Sequence, residues 1–187
     1  ALDVDVDHAK VTLADGRAIA AQLVIAADGR RSLCRELAGI ETYGWQYEQT
    51  AIVCTIAHQK PHHNLAVEHF LPHGPLATLP MNNNKCSVVW TEQKSTADYL
   101  MGLTEAEFTV ALQEKVSGWL GKIRLTSPRQ AWPLNFIHAK RYTARRFALI
   151  SEAAHGIHPI AGQGLNLGMR DISKLSDELT QAAHLGL

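Results

Sequence analysis

The sequence predicts an α+β fold, an antiparallel sheet with helices on one face flanked by pieces of an α/β layer. Three observations predict it. Four short β-prone runs between Thr50 and Thr91 are joined by tight turn residues, which leaves no room for crossover helices and calls for antiparallel pairing. The run Ala21–Ala27 is almost continuously apolar, as in a parallel-sheet strand buried on both faces. Residues 147–179 read as a short apolar strand, a glycine-rich loop and a long helix.

The elements follow in order. Val4, Val6, Val11 and Leu13 alternate with polar neighbours, and Ala14-Asp15-Gly16-Arg17 supplies a hairpin turn. The run at 21–27 stops at Asp28-Gly29. A helix is expected over Ser32–Ala38, with Leu33 and Leu37 one turn apart and Gly39 as its stop. The sheet strands are expected at 50–56, 66–71, 76–79 and 86–91, punctuated by Pro72, Gly74, Pro75 and Asn82-Asn83-Asn84. Thr104 and Glu107 have the spacing of a capping box, and Phe108, Leu112 and Val116 form one face of the helix that follows. Residues 129–136 read as extended, with Pro133 marking an edge or bent strand. After the strand Phe147–Ile150, a helix is expected from Gly162–Gly164 to about Leu179, burying Leu165, Gly168, Met169, Ile172 and Leu175.

The 187 residues carry 18 basic and 18 acidic side chains, a balance without the electrostatic footprint of a nucleic-acid binder. Hydrophobic residues at 46% and charged residues at 19% exclude a disordered or collagen-like chain. No run of roughly 18 apolar residues could span a bilayer. The start, Ala1-Leu2-Asp3-Val4-Asp5, does not read as a signal peptide. Three irregularly spaced cysteines, Cys34, Cys54 and Cys86, fit a reducing compartment, and no CxxC pair suggests zinc.

Residues 147–171 carry the strongest chemical signal. A strand runs through a glycine-rich loop into a helix, whose first turn offers unpaired N–H groups and a positive dipole end. Gly162 and Gly164 let a ligand approach the backbone, so the arrangement suits an anion or a polarised carbonyl. On pattern alone, a glycine-lined packing site between helix and sheet is the equal alternative.

The run from Phe147 to Asp171, above all His158-Pro-Ile-Ala-Gly-Gln-Gly-Leu-Asn-Leu-Gly168, resembles the second FAD motif of flavin-dependent aromatic hydroxylases of the para-hydroxybenzoate hydroxylase fold. Leu23-Val-Ile-Ala-Ala-Asp-Gly-Arg-Arg-Ser32 resembles the Asp-Gly motif of the same family. Tyr47–Val53 and Glu68–Pro80 resemble its ubiquinone-biosynthesis branch, which includes 2-octaprenyl-6-methoxyphenol hydroxylase. The motifs stand in family order over nearly the whole chain.

The resemblance implies FAD as cofactor, NAD(P)H as co-substrate, and transfer of an oxygen atom from O₂ to the ring of a polyprenyl phenol. It places cofactor contacts at Asp28, Glu152, Pro159, Gly162, Gln163, Gly164, Leu165 and Asn166. Glu152 would bind the ribityl chain, Pro159 would lie beside the isoalloxazine, and the Gly162–Gly164 amides would face the pyrimidine edge. Asp28 would support the pyrophosphate region, with Arg35 holding its loop. No side chain is expected to be a catalytic nucleophile, and no metal is implied. The implied domains are 1–42 and 141–187 for the partial FAD-binding layer and 43–140 for the substrate sheet. The implied location is cytoplasmic, with room for peripheral contact at the inner membrane, a ubiquinone-biosynthesis complex or a homo-oligomer.

Three departures stand out. Ser151-Glu152 replaces the family's Gly-Asp and Ala26 replaces a glycine, changes that bear on cofactor affinity. The family's opening Gly-x-Gly-x-x-Gly turn does not occur, so the chain reads as a fragment not expected to retain FAD by itself. The alternative is a non-catalytic fragment that self-associates or binds a ligand without FAD.

Other conspicuous residues have plainer readings. His62, His63, His69 and His73 read as solvated loop histidines, and His155 and His158 as structural parts of the motif. Trp45, Trp90, Trp119 and Trp132 read first as packing residues, with Trp90 and Trp132 as weak pocket candidates. Lys140, Arg141, Arg145 and Arg146 read as a solvated face. Ser32 and Ser151 lack nucleophile-elbow surroundings.

Overall fold

A computed structural model describes residues 1–116 and 118–186. In chain order the elements are β1 (Leu2–Val4), β2 (Ala9–Thr12), β3 (Ala18–Ala21), β4 (Val24–Ala26), α1 (Leu33–Leu37), β5 (Thr42–His58), β6 (Val67–Leu71), β7 (Gly74–Met81), β8 (Lys85–Gln93), α2 (Lys94–Gly102), α3 (Glu105–Lys115), β9 (Ile123–Leu125), β10 (Gln130–Ala139), β11 (Thr143–Ala144), β12 (Phe147–Leu149), β13 (His155–Gly156) and α4 (Gln163–His184). The chain divides into two compact units, one made of Ala1–Trp45 with Asn135–Leu187 and the other of Gln46–Leu134. The mix of helices and mainly antiparallel strands is the α+β class read from the sequence.

The 46–134 unit holds the antiparallel order β5-β8-β7-β6, with β9 pairing β5. Ile52 lies opposite Trp90, and Trp90 opposite Leu76. Strand alternation therefore gathers Ile52, Cys54, Ile56, Leu76, Val88 and Trp90 into one core with Leu100, Phe108 and Leu112 of α2 and α3. The β7–β8 turn is tight because Asn83 and Asn84 adopt left-handed φ values of 63° and 49°. The capping box is present: the Thr104 hydroxyl oxygen accepts from the Glu107 amide at 3.3 Å, and the Thr104 amide donates to Glu107 Oε2 at 2.9 Å. Arg129 donates to the carbonyls of Leu100 and Leu103 at 2.9 and 2.8 Å, closing the end of α2, and its guanidinium lies 4.8 Å from the Phe108 ring centroid.

Here the sequence reading needs correction. Helix α2 was not expected; only Ala97 and Leu100 are buried along it, and no side chain caps it, so its pattern is faint. Trp90 is core, 2% exposed, with its indole N–H donating to Glu92 Oε1 at 3.1 Å, which is the packing role. His69 lies on the expected strand at 66–71, but its Nε2 is buried rather than solvated.

In the other unit, β1-β2-β3 form a meander whose last pair, Thr12 opposite Ala18, closes the anticipated Asp-Gly hairpin. A second small sheet has the order β11-β12-β4, and β12 runs parallel to β4 with Phe147 opposite Val24 and Leu149 opposite Ala26. Ala26, Ile40, Ala139, Phe147, Leu149, Ala153 and Ala154 make its core. The run at 21–27 was expected as a parallel-sheet strand buried on both faces; β4 does run parallel to a neighbour, but burial on both faces is not met, because Ile25 is 44% exposed.

Two helices bury other faces than their apolar spacing suggests. In α1, Leu33 and Leu37 are exposed while Arg35 is buried, because its guanidinium has carbonyls to bind and the leucines face outward. In α4 only Gly168 is buried, and Leu165, Met169 and Ile172 are exposed. Ile172, Leu175, Leu179 and Ala183 instead line an apolar groove of about 490 Å³ with Ile25 and Ile150. Arg146 is no solvated cation: with φ of 50°, it reaches the Val6 carbonyl at 2.6 and 2.8 Å and the Gln22 carbonyl at 2.9 Å.

Candidate functional site

Strands β4 and β12 run parallel, so the loops after both leave the same, carboxyl end of the small sheet. That is where open parallel sheets place ligands. The loop after β4 carries Asp28, Gly29 and Arg30. The loop after β12 is a 3-10 turn over Ser151–Ala153, followed by β13, a second 3-10 turn over Ile160–Gly162, and α4.

Two arginines join the loops. Arg35, 5% exposed, donates to the Ala153 carbonyl at 2.9 Å and the Arg30 carbonyl at 3.2 Å. Arg30 donates to Glu152 Oε1 at 3.0 Å and to the side chain of Asn135. Its guanidinium lies over Gly156, where a Cβ would come within 2.6 Å of Nε. A buried arginine bound to two carbonyls fixes loop geometry, while the half-exposed Arg30–Glu152 pair sets where the carboxylate points.

Asp28 accepts from the Ser32 hydroxyl and, at 3.0 Å, from the Cys34 amide, thereby capping α1. Burial opposes its ionisation, but those two donors more than offset it and hold the carboxyl below its ordinary value. A depressed carboxylate stabilises above the unfolded-state value and loses its effect as pH falls through the folded one. Asp28→Asn is therefore expected to destabilise fully at neutral pH, with the gap to the parent chain closing below about pH 4 in denaturant titrations.

The second loop is braced from α4. Asp171 Oδ2 accepts from the Ser151 amide and from His155 Nε2, both at 2.7 Å. Ser151 has φ of 56°, the left-handed region that favours glycine, and its side chain lies against Gly168, where a Cβ would meet Ser151 Oγ at 2.7 Å. Ser151→Gly is therefore expected to stabilise by about 1 kcal/mol. Gly168→Ala is expected to destabilise the parent chain but to stabilise the Ser151→Gly background, where alanine's helix propensity acts alone. A double-mutant cycle in urea reads that change of sign.

Pro159, Gly162, Gln163, Gly164, Leu165 and Asn166 cluster where α4 begins. Gly162, at φ of 61°, precedes the first residue of the helix, and the space a Cβ would enter at Gly162 or Gly164 is open for 4 Å. The N-cap glycine makes no side-chain cap, its own N–H donates to the Pro159 carbonyl at 3.0 Å, and the positive end of a 22-residue helix lies at this point. Leu165 is 75% exposed, and the Asn166 amide lies 3.5 Å from Gln163 Oε1. A backbone cradle of this kind fits a negatively charged or strongly accepting group. The carboxylates of Asp28 and Glu152 lie on neighbouring loops but serve different partners, α1 for the first and Arg30 for the second.

The sequence reading passed over Arg30, Asn135 and Asp171 as functional residues. Arg30 and Asp171 lie inside the two motifs and could have been weighed there, whereas Asn135 carries no local signal. His155, 7% exposed and held by Asp171, has the structural role read for it. Among the described residues, no three or more His, Cys, Asp or Glu side chains converge to hold a metal ion, and no helix is long and apolar enough to cross a membrane.

Ubiquinone hydroxylase UbiL of Rhodospirillum rubrum is 46% identical over 187 residues, which is 100% of this chain and 44% of that protein. The 3-demethoxyubiquinol 3-hydroxylase of Escherichia coli is 35% identical over 180 residues, 96% of this chain and 46% of that protein. The chain thus spans less than half the length of these curated relatives. The crystal structure of pqsL, a probable FAD-dependent monooxygenase from Pseudomonas aeruginosa, superposes with a TM-score of 0.78 at 25% identity, covering 100% of this chain and 54% of that one. The model of the FAD binding domain family matches residues 3–184, and the chain belongs to that family.

Proposed function

We propose that this chain is the flavin-facing and substrate-sheet portion of an FAD-dependent, NAD(P)H- and O₂-using aromatic monooxygenase that hydroxylates a polyprenyl phenol in ubiquinone biosynthesis. The observation that carries the reading is the pair of loops at the carboxyl end of β4 and β12, tied by Arg30 and Arg35 beside the open amino end of α4. FAD, when bound, supplies the redox chemistry that activates oxygen. The chain's own groups bind and orient. Glu152, aimed by Arg30, offers acceptors for ribityl hydroxyls. The amide of Gly164, in the first turn of α4, offers a donor to negative charge on the pyrimidine edge, while the Gly162 N–H binds the Pro159 carbonyl at 3.0 Å and shapes the turn. Pro159 limits the space beside the ring. Asp28 keeps the neighbouring loop folded onto α1.

The 46–134 unit suits the substrate role. One sheet face is closed by α2 and α3, and the other carries exposed Phe70 and Leu79 with half-buried Val53 and Val89, apolar surface for a prenyl chain. A second reading, a fragment that self-associates without FAD, draws on the exposed apolar side of α4 at Leu165, Met169 and Ile172.

Titration with FAD, followed by quenching of flavin fluorescence, tests the first reading. Saturable one-to-one binding is expected, weak enough to be lost on purification and weakened about tenfold by Glu152→Gln. No saturation up to high-micromolar FAD would overturn it, and a dimer in analytical ultracentrifugation would then support the second.

A further inference from the structure

A line of aromatic rings runs through the unit formed by Ala1–Trp45 and Asn135–Leu187. Trp45 stacks on Phe136 with centroids 4.3 Å apart, and Phe136 lies 5.9 Å from Tyr43. Tyr43 lies 5.2 Å from His138, His138 5.4 Å from Tyr142, and Tyr142 5.7 Å from His155. Strand alternation builds the middle of this line, since Tyr43 and Trp45 share one face of β5 and Phe136 and His138 one face of β10.

One pair in the line is more than packing. The Tyr142 hydroxyl lies 2.9 Å from His138 Nε2. His138 Nδ1 lies 2.8 Å from the Ala139 carbonyl oxygen, which can only accept, so Nδ1 carries the ring hydrogen. Nε2 therefore presents its lone pair, and Tyr142 donates to it. The phenol is half-buried, and burial together with the nearby Asp171 and Tyr43 disfavours the phenolate. It stays protonated with a base already on its proton, and it can give that proton up when it also gives up an electron.

We propose that Tyr142 and His138 form a redox-active pair. An electron leaves the Tyr142 ring for a one-electron oxidant while the O–H bond breaks and the proton passes to His138 Nε2. The products are a neutral tyrosyl radical, an imidazolium and the reduced oxidant. His155, three residues from Glu152, is the inner end of the line. Trp45, 53% exposed, is the outer end. The biological use rests on the monooxygenase reading: reactive oxygen species formed when oxygen activation is not coupled to substrate are the oxidants drained outward. The chemistry of the pair stands without it.

Pulse radiolysis of the flavin-free chain tests the pair. The azide radical takes an electron from exposed tryptophan and becomes azide, and the indole proton goes to solvent, leaving a neutral tryptophanyl radical. Trp45 then regains an electron from Tyr142 and a proton from solvent, while the Tyr142 proton goes to His138. The tryptophanyl absorption is expected to convert into tyrosyl absorption at a rate independent of protein concentration and slowed by heavy water. Tyr142→Phe is expected to slow the conversion at least about tenfold, and Trp45→Phe to lower the tyrosyl yield. An unchanged rate in folded Tyr142→Phe, or a rate proportional to protein concentration, would overturn the proposal. Should Tyr142→Phe fail to fold, His138→Gln serves: a slower conversion without the solvent isotope effect supports the pair, and an unchanged isotope effect overturns it. No flavin is present, so this outcome is independent of the FAD titration.

Discussion

Asp171→Ala is expected to destabilise the chain by about 2–4 kcal/mol, read as a lower midpoint in urea at an unchanged slope. One carboxylate oxygen holds two donors, the Ser151 amide and His155 Nε2. His155 is 7% exposed, and its Nδ1 already lacks a hydrogen-bond partner among the described residues. Removing the carboxylate leaves a buried imidazole with neither nitrogen satisfied and an amide stranded on a turn whose φ is itself unfavourable. Asp171→Asn keeps an acceptor, so its cost should be less than half of that. A loss under 1 kcal/mol for Asp171→Ala would show that water replaces the carboxylate and that the brace between α4 and the turn is weak.

Phe108→Ala should cost about 3–5 kcal/mol. Its ring is fully buried beside Trp90, at a centroid distance of 5.8 Å, beneath the Arg129 guanidinium. The substitution opens a cavity in the 46–134 core and takes away the aromatic face under a cation that also closes α2. Because the two residues touch, the penalties of Phe108→Ala and Arg129→Ala should fall short of additivity by 0.5–1 kcal/mol, roughly a cation–π contact. Strictly additive penalties would mean that Arg129 acts through the Leu100 and Leu103 carbonyls alone.

What could be read from the sequence was local. The Asp-Gly hairpin, the Asn82–Asn84 turn and the Thr104–Glu107 box depend on residues a few positions apart, and the structure has all three. The apolar runs at 21–27 and 147–150 marked β4 and β12 as strands, but nothing local in the sequence paired one with the other. The failures have a common cause. Apolar spacing marks a helix face, but tertiary neighbours decide whether that face is covered, so Leu33, Leu37 and Leu165 are exposed while Arg35 is buried. Likewise the anchors of the candidate site are long-range. Arg30 and Glu152 stand 122 positions apart, and Arg35 and Ala153 stand 118 apart, so no window along the sequence contains either pair.

The interrupted unit also sets an order of events on the ribosome. Strand β4 is synthesised early, but its partner β12 emerges only after all of residues 46–134, whose sheet and helices draw only on one another for their core. At translation speeds of about 5–20 residues per second, β4 waits several seconds with an open edge while the inserted unit has time to fold. A rare-codon pause just before Phe147 should lengthen that exposure and raise chaperone capture of nascent chains.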